Sequence, residues 1–169
     1  LPVREIDFYG SANGSEVKVG LNRGASGIDG LVASSAGYSK GLNQPLTLLL
    51  GDLSLLHDLN SLKLISESPK PIVLIVLNNH GGGIFSFLPI SEHKDIFETY
   101  FSTPHSLEFK DAAKMFKLSY FNPESPEEFE SIYLKQASAD KSCIIEVNTL
   151  KEDNIRVQKE WTEFLHQNR

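Results

Sequence analysis

The sequence is poor in cysteine and in basic residues. Its single cysteine, Cys143, excludes a disulfide framework within the chain, and its place in the apolar run SCIIEV predicts a buried core thiol. With 16 lysines and arginines against 22 aspartates and glutamates, the chain has a formal net charge of -6, and it contains no basic run. These absences argue against a disulfide scaffold and against a nucleic-acid-binding domain.

Long apolar runs and common nucleotide motifs are also missing. No stretch approaches the roughly 18 apolar residues of a membrane helix, and the N-terminal LPVREIDFYG does not have the features of a signal peptide. Neither G-x-x-x-x-G-K-[ST] nor a G-x-G-x-x-G following a strand occurs, and the five histidines lack H-x-x-x-H spacing. The sequence therefore lacks the motifs that usually indicate a P-loop enzyme, a dinucleotide-binding enzyme or a zinc enzyme. The first residue is leucine, from which we expect a domain of a longer chain.

What the sequence does contain is an alternation of strands and helices. At 169 residues and 40% hydrophobic content, it predicts one globular domain spanning 1–169. Continuous apolar runs predict strands buried on both faces. The predicted strands are 16–21, 45–50, 72–77, 118–122 and 143–148, and the predicted helices are 28–42, 55–65, 106–117, 125–137 and 153–167. This order predicts an α/β fold, a doubly wound and mostly parallel sheet with helices on both faces, with ligands beyond the carboxyl ends of the strands.

Residues suited to ligand binding follow three of the predicted strands. These are the segments NRGASGIDG at 22–30, Gly51 with Asp52, and NNHGGG at 78–83. A carboxylate, an amide oxygen and glycine carbonyls are hard donors that suit Mg²⁺ or Ca²⁺. Each has a structural alternative, since Asp52 could cap a helix, Asn79 could end a strand and the glycines could serve tight turns. Their convergence at one edge favours a metal site that binds a diphosphate.

The segment GDLSLLHDLNSLKLISESPKPIVLIVLNNHGGG resembles the signature of thiamine-diphosphate enzymes, in which Gly-Asp begins about thirty residues that end in Asn-Asn. The third position is often glycine in that family and is Leu53 here. Together with NRGASGIDG and NNHGGGIFSFLP, it is similar to the 2-succinyl-5-enolpyruvyl-6-hydroxy-3-cyclohexene-1-carboxylate synthases of menaquinone and phylloquinone synthesis. The resemblance implies a C-terminal diphosphate-binding domain that uses thiamine diphosphate and Mg²⁺, or Mn²⁺ in its place.

The resemblance also implies roles for individual residues. Asp52, Asn79 and the carbonyl of Gly81 would bind the metal, and Ile28 would lie beneath the bent cofactor. Further cofactor contacts are implied for Gly51, Leu53, Ser54, Gly82, Ile84 and Phe85. Arg23 and Arg4 would bind substrate carboxylates through their planar guanidinium groups, while Ile84, Phe85 and Leu88 would form an apolar wall at the catalytic site. Surface exposure for Arg4, and ordinary packing for Ile28 and Leu88, are the structural alternatives.

The reaction implied by the resemblance is decarboxylation of 2-oxoglutarate and addition of the resulting carbanion to isochorismate. The family's activating glutamate belongs to an N-terminal pyrimidine-binding domain, usually of a neighbouring subunit. We therefore expect a homo-oligomer in the full enzyme and an isolated chain that does not catalyse. The sequence does not distinguish a bacterial cytoplasm from a plastid, both of which are reducing compartments. Two alternatives stay open at this point. One is another thiamine-diphosphate 2-oxoacid decarboxylase or synthase, and the other is a non-catalytic packing module.

Overall fold

The computed structural model describes residues 6, 10, 17–22 and 27–167. Its sheet has four parallel strands in the order β1, β2, β4, β3, with β1 at Leu46–Gly51, β2 at Ile72–Asn78, β3 at Ser119–Phe121 and β4 at Cys143–Asn148. Leu46 pairs with Ile72 and Gly51 with Leu77, so the first two strands end side by side. The predicted α/β parallel sheet is confirmed.

Helices cover both faces of the sheet because its central strand is apolar on both. In β2, Ile72, Leu74 and Val76 pack in one cluster with α1 (Leu31–Leu42), α2 (Asp52–His57), α3 (Leu62–Ser66) and α5 (Lys110–Met115). Val73 and Ile75 pack in the opposite cluster with Cys143 and Ile145 of β4 and with α6 (Pro126–Ala137). Alternate side chains of a strand point to opposite faces, so an unbroken apolar run serves two layers.

The start of α6 contains part of a capping box. The Ser125 side chain accepts a hydrogen bond from the Glu128 N–H at 3.1 Å, and Pro126 is the first helical residue. The Glu128 carboxylate accepts from the Glu124 N–H at 2.8 Å, where a capping box would pair it with the N–H of the cap residue. The helix thus begins where the sequence places it, with one of the two reciprocal bonds shifted by a residue.

Three predicted elements differ from the structure. The strand at 16–21 is wrong for its described part, because residues 17–22 have no regular structure, and Val17 and Val19 are 72% and 67% exposed. Alternating apolar residues favour a strand, but a strand also needs a hydrogen-bonded neighbour. The helix predicted at 106–117 is limited to α5. The helix predicted at 55–65 is divided by a 3₁₀ turn, Leu59–Ser61, next to the buried Asp58.

The chain forms two compact units. The first contains the residues up to Leu77 together with Glu108–Val147, and it holds the sheet core described above. The second contains Asn78–Leu107 and the residues from Asn148 onward. Its elements are 3₁₀ turns at Gly83–Phe87 and Pro89–Glu92, α4 (Lys94–Phe97), a π-helical turn at Glu98–Ser102, and α7 (Lys151–Gln167). Among the residues that the structure describes, no helix is long and apolar enough to cross a membrane.

Candidate functional site

Asp52 is a buried carboxylate at the junction of β1 and α2. Gly51 ends the strand in an extended conformation, and Asp52 begins the helix with only 2% of its surface exposed. Its Oδ1 accepts a hydrogen bond from the Leu53 N–H at 2.7 Å, and Ser54 is also buried. Burying an ionised carboxylate is costly unless donors or a cation compensate for the lost hydration. Asp52 therefore has a local role at the helix start, together with the chemistry expected of a metal ligand.

A second buried carboxylate, Asp58, fixes the start of α1 from a distance. Gly30 precedes this helix, and no side chain of the helix's own cap residue bonds its free N–H groups. Instead, Asp58 Oδ2 accepts a hydrogen bond from the Ala33 N–H at 2.9 Å, while Oδ1 accepts from the Ser61 hydroxyl. Sequence reasoning did not find this role, because the partners are 25 residues apart. The contact holds the helix that follows Ile28.

Ile28 itself lies just before α1 and is 39% exposed. The glycines on either side, Gly27 and Gly30, have φ of 144° and 67°, so the backbone here enters a region that other residues rarely adopt. An isoleucine exposed at such a turn is available to contact a ligand. The two arginines predicted to bind substrate, Arg4 and Arg23, lie outside the described residues.

The loop after β2 is closely held by the segment 102–107 within the second unit. Asn78 is fully buried, and its side-chain N–H donates to the Leu107 carbonyl at 2.9 Å while its Oδ1 accepts from the His80 N–H at 3.0 Å. The Gly82 N–H donates to the Ser102 carbonyl at 2.6 Å. Asn79, half-buried, lies between these anchored positions. Hydrogen bonds to residues 102–107 therefore fix the conformation of this loop.

Gly81 requires the absence of a side chain for two reasons. Its φ is +149°, and a Cβ at this position would lie 2.5 Å from the Ser102 carbonyl oxygen. Such a separation is far inside van der Waals contact, so an alanine would displace backbone. The Gly81 carbonyl accepts a hydrogen bond from the Gly83 N–H at 3.1 Å. Gly81 thus allows a close approach of two backbone segments, a structural role different from the tight turn considered in the sequence analysis.

Exposed apolar side chains follow this loop. Ile84, Phe85 and Leu88 are 37%, 37% and 46% exposed. The Phe85 ring contacts the Phe101 ring edge-on, with centroids 5.6 Å apart. This contact fixes one edge of Phe85 and leaves part of the side chain accessible.

The three residues predicted to bind the metal each carry an oxygen donor. Asp52 supplies a carboxylate, Asn79 an amide and Gly81 a backbone carbonyl, which are the oxygen types that Mg²⁺ binds. Asp52 follows Gly51, whose strand partner is Leu77, so Asp52 and Asn79 each follow the end of one of two adjacent parallel strands. Among the described residues, no group of three or more His, Cys, Asp or Glu forms a separate candidate metal cluster.

Sequence reasoning missed a buried carboxylate within the sheet. Glu146 of β4 is fully buried and accepts hydrogen bonds from the Phe109 N–H at 2.9 Å and the Tyr120 hydroxyl at 2.8 Å. Burial, and then the hydrogen bond to Glu146, raise the pKa of Tyr120 well above its usual value. A charged residue inside the apolar run CIIEVN was the available signal. Its contacts anchor β3 and the start of α5.

Among solved structures, the fold is similar to that of benzoylformate decarboxylase from Polynucleobacter necessarius. The TM-score is 0.59 at 20% sequence identity, covering 72% of this chain and 23% of that one. At this identity the likeness establishes the fold, which is an α/β fold shared with part of that decarboxylase. No protein-family model matches the chain.

Curated relatives make the relationship specific. The chain is 49% identical over 157 residues to the 2-succinyl-5-enolpyruvyl-6-hydroxy-3-cyclohexene-1-carboxylate synthase of Chlorobium phaeobacteroides, covering 92% of this chain and 27% of that protein. It is 48% identical to the synthase of the same name from Rubrobacter xylanophilus, covering 95% of this chain and 28% of the relative. The resemblance is confirmed, and the chain is homologous to one region of these synthases. It spans about a quarter of their length.

Proposed function

We propose that this chain is the thiamine-diphosphate-binding domain of a 2-succinyl-5-enolpyruvyl-6-hydroxy-3-cyclohexene-1-carboxylate synthase. The full enzyme would decarboxylate 2-oxoglutarate and transfer the remaining carbon unit to isochorismate, in menaquinone or phylloquinone synthesis. The observation that carries the proposal is identity of 41% to 49% to synthases of this name over 92% to 98% of the chain. The hard oxygen donors at the strand ends support it independently.

Thiamine diphosphate, when bound, supplies the carbanion stabilisation that decarboxylation of a 2-oxoacid requires. The chain's own residues would bind and orient. Asp52, Asn79 and the Gly81 carbonyl would hold Mg²⁺ against the diphosphate, with Mn²⁺ as a substitute, because octahedral Mg²⁺ takes protein oxygens together with phosphate oxygens. Gly51, Leu53, Ser54 and Gly82 belong to the same two loops and would line the cofactor.

The apolar and cationic residues would serve the substrates. Ile28, Ile84 and Phe85 have exposed apolar surface that would cover the cofactor's rings and exclude water from the reacting carbon. Arg23 and Arg4 would bind the carboxylates of 2-oxoglutarate and isochorismate, since a guanidinium group matches a carboxylate with two parallel hydrogen bonds. The activating glutamate would come from an N-terminal domain in a homo-oligomer, so the chain alone would be inactive.

The test compares two buried carboxylates of the same segment in the full-length enzyme. Asp52→Asn removes the proposed charged ligand, and we expect it to weaken Mg²⁺-dependent binding of thiamine diphosphate by about tenfold or more in calorimetry. Asp58→Asn is the matched control, because Asp58 is also buried but bonds Ala33 and Ser61. Equal effects of the two substitutions would assign Asp52 a structural role and remove the support for the metal site.

A product assay separates the two alternatives. Release of carbon dioxide from 2-oxoglutarate that depends on isochorismate, with formation of the adduct, is the expected result for the full-length enzyme. Decarboxylation of other 2-oxoacids with no adduct would indicate a different thiamine-diphosphate decarboxylase. Failure to bind thiamine diphosphate and Mg²⁺ at all would indicate a non-catalytic packing module.

A further inference from the structure

Lys151 is a largely buried lysine in the second unit, and the proposed mechanism does not use it. Only 18% of its side chain is exposed. Its ammonium donates to the Ser102 hydroxyl at 2.6 Å, lies 3.3 Å from a Glu98 carboxylate oxygen, and sits 5.1 Å from the centre of the Phe97 ring. Three different types of contact therefore fix one charged group.

The position of this lysine is unfavourable for the helix that carries it. Lys151 is the first residue of α7, where the helix dipole is positive and a cation is disfavoured. Glu98 offers limited compensation because it is 61% exposed and screened by solvent. The helix itself gains nothing from a lysine here. The contacts with Ser102 and Phe97 give it a different role.

Ser102 links Lys151 to the loop after β2. Its hydroxyl accepts from Lys151, and its own carbonyl accepts from the Gly82 N–H at 2.6 Å. Ser102 is 2% exposed and is followed by Thr103 at φ of 40°. Positive φ is costly for a β-branched residue and persists only where surrounding contacts hold it. The Lys151 contact is one that holds this turn.

The Gly82 N–H and the Gly81 carbonyl belong to a single planar peptide unit. A hydrogen bond that fixes the direction of the N–H also fixes the direction of the carbonyl, which points the opposite way within the same plane. A second hydrogen bond comes from the segment that follows β4. The N–H of Thr149, two residues before Lys151, donates to the Asn78 carbonyl at 2.9 Å. The loop is thus held at Asn78 and again at Gly82.

We propose that Lys151 is a positioning residue for the metal-binding loop, acting through Ser102 to fix the orientation of the Gly81–Gly82 peptide. The inference rests on the proposed function, in which the Gly81 carbonyl binds Mg²⁺. In this proposal Lys151 acts through Ser102 and is not itself a ligand of the metal. Lys151 thereby orients the Gly81 carbonyl before metal binds.

The test measures the loop with and without its ligands in the full-length enzyme. Hydrogen exchange at the Gly82 amide, without metal or cofactor, reports the hydrogen bond to Ser102 directly. The Mg²⁺ concentration for half-saturation, at saturating thiamine diphosphate, reports ligand orientation. The variants are Lys151→Met, which keeps an unbranched side chain of similar shape and removes the charge, and Lys151→Arg, which keeps the charge. Lys159→Met is the matched control, an exposed lysine on the same helix.

We expect Lys151→Met to speed Gly82 exchange and raise the Mg²⁺ requirement by about tenfold each, the effect of a lost charge-assisted hydrogen bond. Lys151→Arg should restore much of both, and Lys159→Met should change neither. Should Lys151→Met fail to fold, Ser102→Ala removes the same hydrogen bond from its other end and is expected to give the same two changes.

Wild-type Gly82 exchange or a wild-type Mg²⁺ requirement in Lys151→Met, or in Ser102→Ala if Lys151→Met does not fold, would overturn the role of Lys151. If Asp52→Asn still raises the Mg²⁺ requirement in that case, the proposed function stands without it. If Asp52→Asn leaves the requirement unchanged, the metal site itself fails, and the positioning role fails with it.

Discussion

Replacing Gly81 with alanine tests whether the loop after β2 depends on backbone contact. The new methyl carbon would lie 2.5 Å from the Ser102 carbonyl oxygen and 3.3 Å from that of Thr103, at a φ of +149°. The unfavourable φ costs about 1 to 3 kcal/mol, and the displacement of Ser102 would weaken its hydrogen bond from Gly82, worth about 1 kcal/mol more. We expect a loss of about 2 to 4 kcal/mol in the free energy of unfolding.

The control for this substitution is Gly37→Ala on α1. Gly37 lies in the helix interior, and a Cβ there meets nothing within 4 Å. Alanine favours helix, so we expect Gly37→Ala to add about 0.5 to 1 kcal/mol to the free energy of unfolding. Urea denaturation measures both, and calorimetry with thiamine diphosphate and Mg²⁺ measures the site. Equal stability for the two alanine variants would refute the close approach of Gly81 and Ser102. Wild-type cofactor binding by Gly81→Ala would refute the link between that contact and the metal site.

Two further predictions concern the first unit. Asp58→Ala should lower the free energy of unfolding by about 1 to 3 kcal/mol, because the Ala33 N–H loses its acceptor, whereas the exposed Asp140→Ala should have little effect in the same urea titration. Burial raises the pKa of Cys143 to about 11, above its unfolded value near 9. Unfolded chains then release the thiol proton first, so stability should fall by roughly 2 to 3 kcal/mol between these pH values. Cys143→Ala should reduce this fall, and an identical pH profile for the two proteins would contradict it.

The elements predicted correctly from the sequence are those whose signal is local. The runs at 45–50, 72–77 and 143–148 are mostly apolar, and β1, β2 and β4 occupy them within one residue at each end. A strand that is buried on both faces forms a nearly continuous apolar run, which is visible in the local sequence. The run at 16–21 has the other pattern, apolar at alternate positions, and fails over its described part. An alternating pattern needs a neighbouring strand, which local sequence does not supply.

The missed residues share long sequence separations. Asp58 bonds Ala33 across 25 residues, Tyr120 bonds Glu146 across 26, and Lys151 bonds Ser102 across 49. Each is a polar group whose partner is set by the fold. A buried carboxylate in an apolar run can be noticed in the sequence, as with Glu146. What it contacts follows only from the packing of separate elements.

The glycines after β2 show why the same residues supported two interpretations. A string of glycines is typical both of a tight turn and of a loop that approaches a phosphate. In the structure, Gly81 is glycine because the Ser102 carbonyl is too close for a side chain, which by itself is a structural reason. That same contact orients the peptide whose carbonyl the family resemblance assigns to the metal. The structural and the functional interpretation of Gly81 are therefore compatible. In the proposal, backbone packing against Ser102 orients the Gly81 carbonyl, which is the proposed metal ligand. If this is correct, changes at Lys151 should alter the Mg²⁺ requirement through the hydrogen bond that its ammonium donates to Ser102.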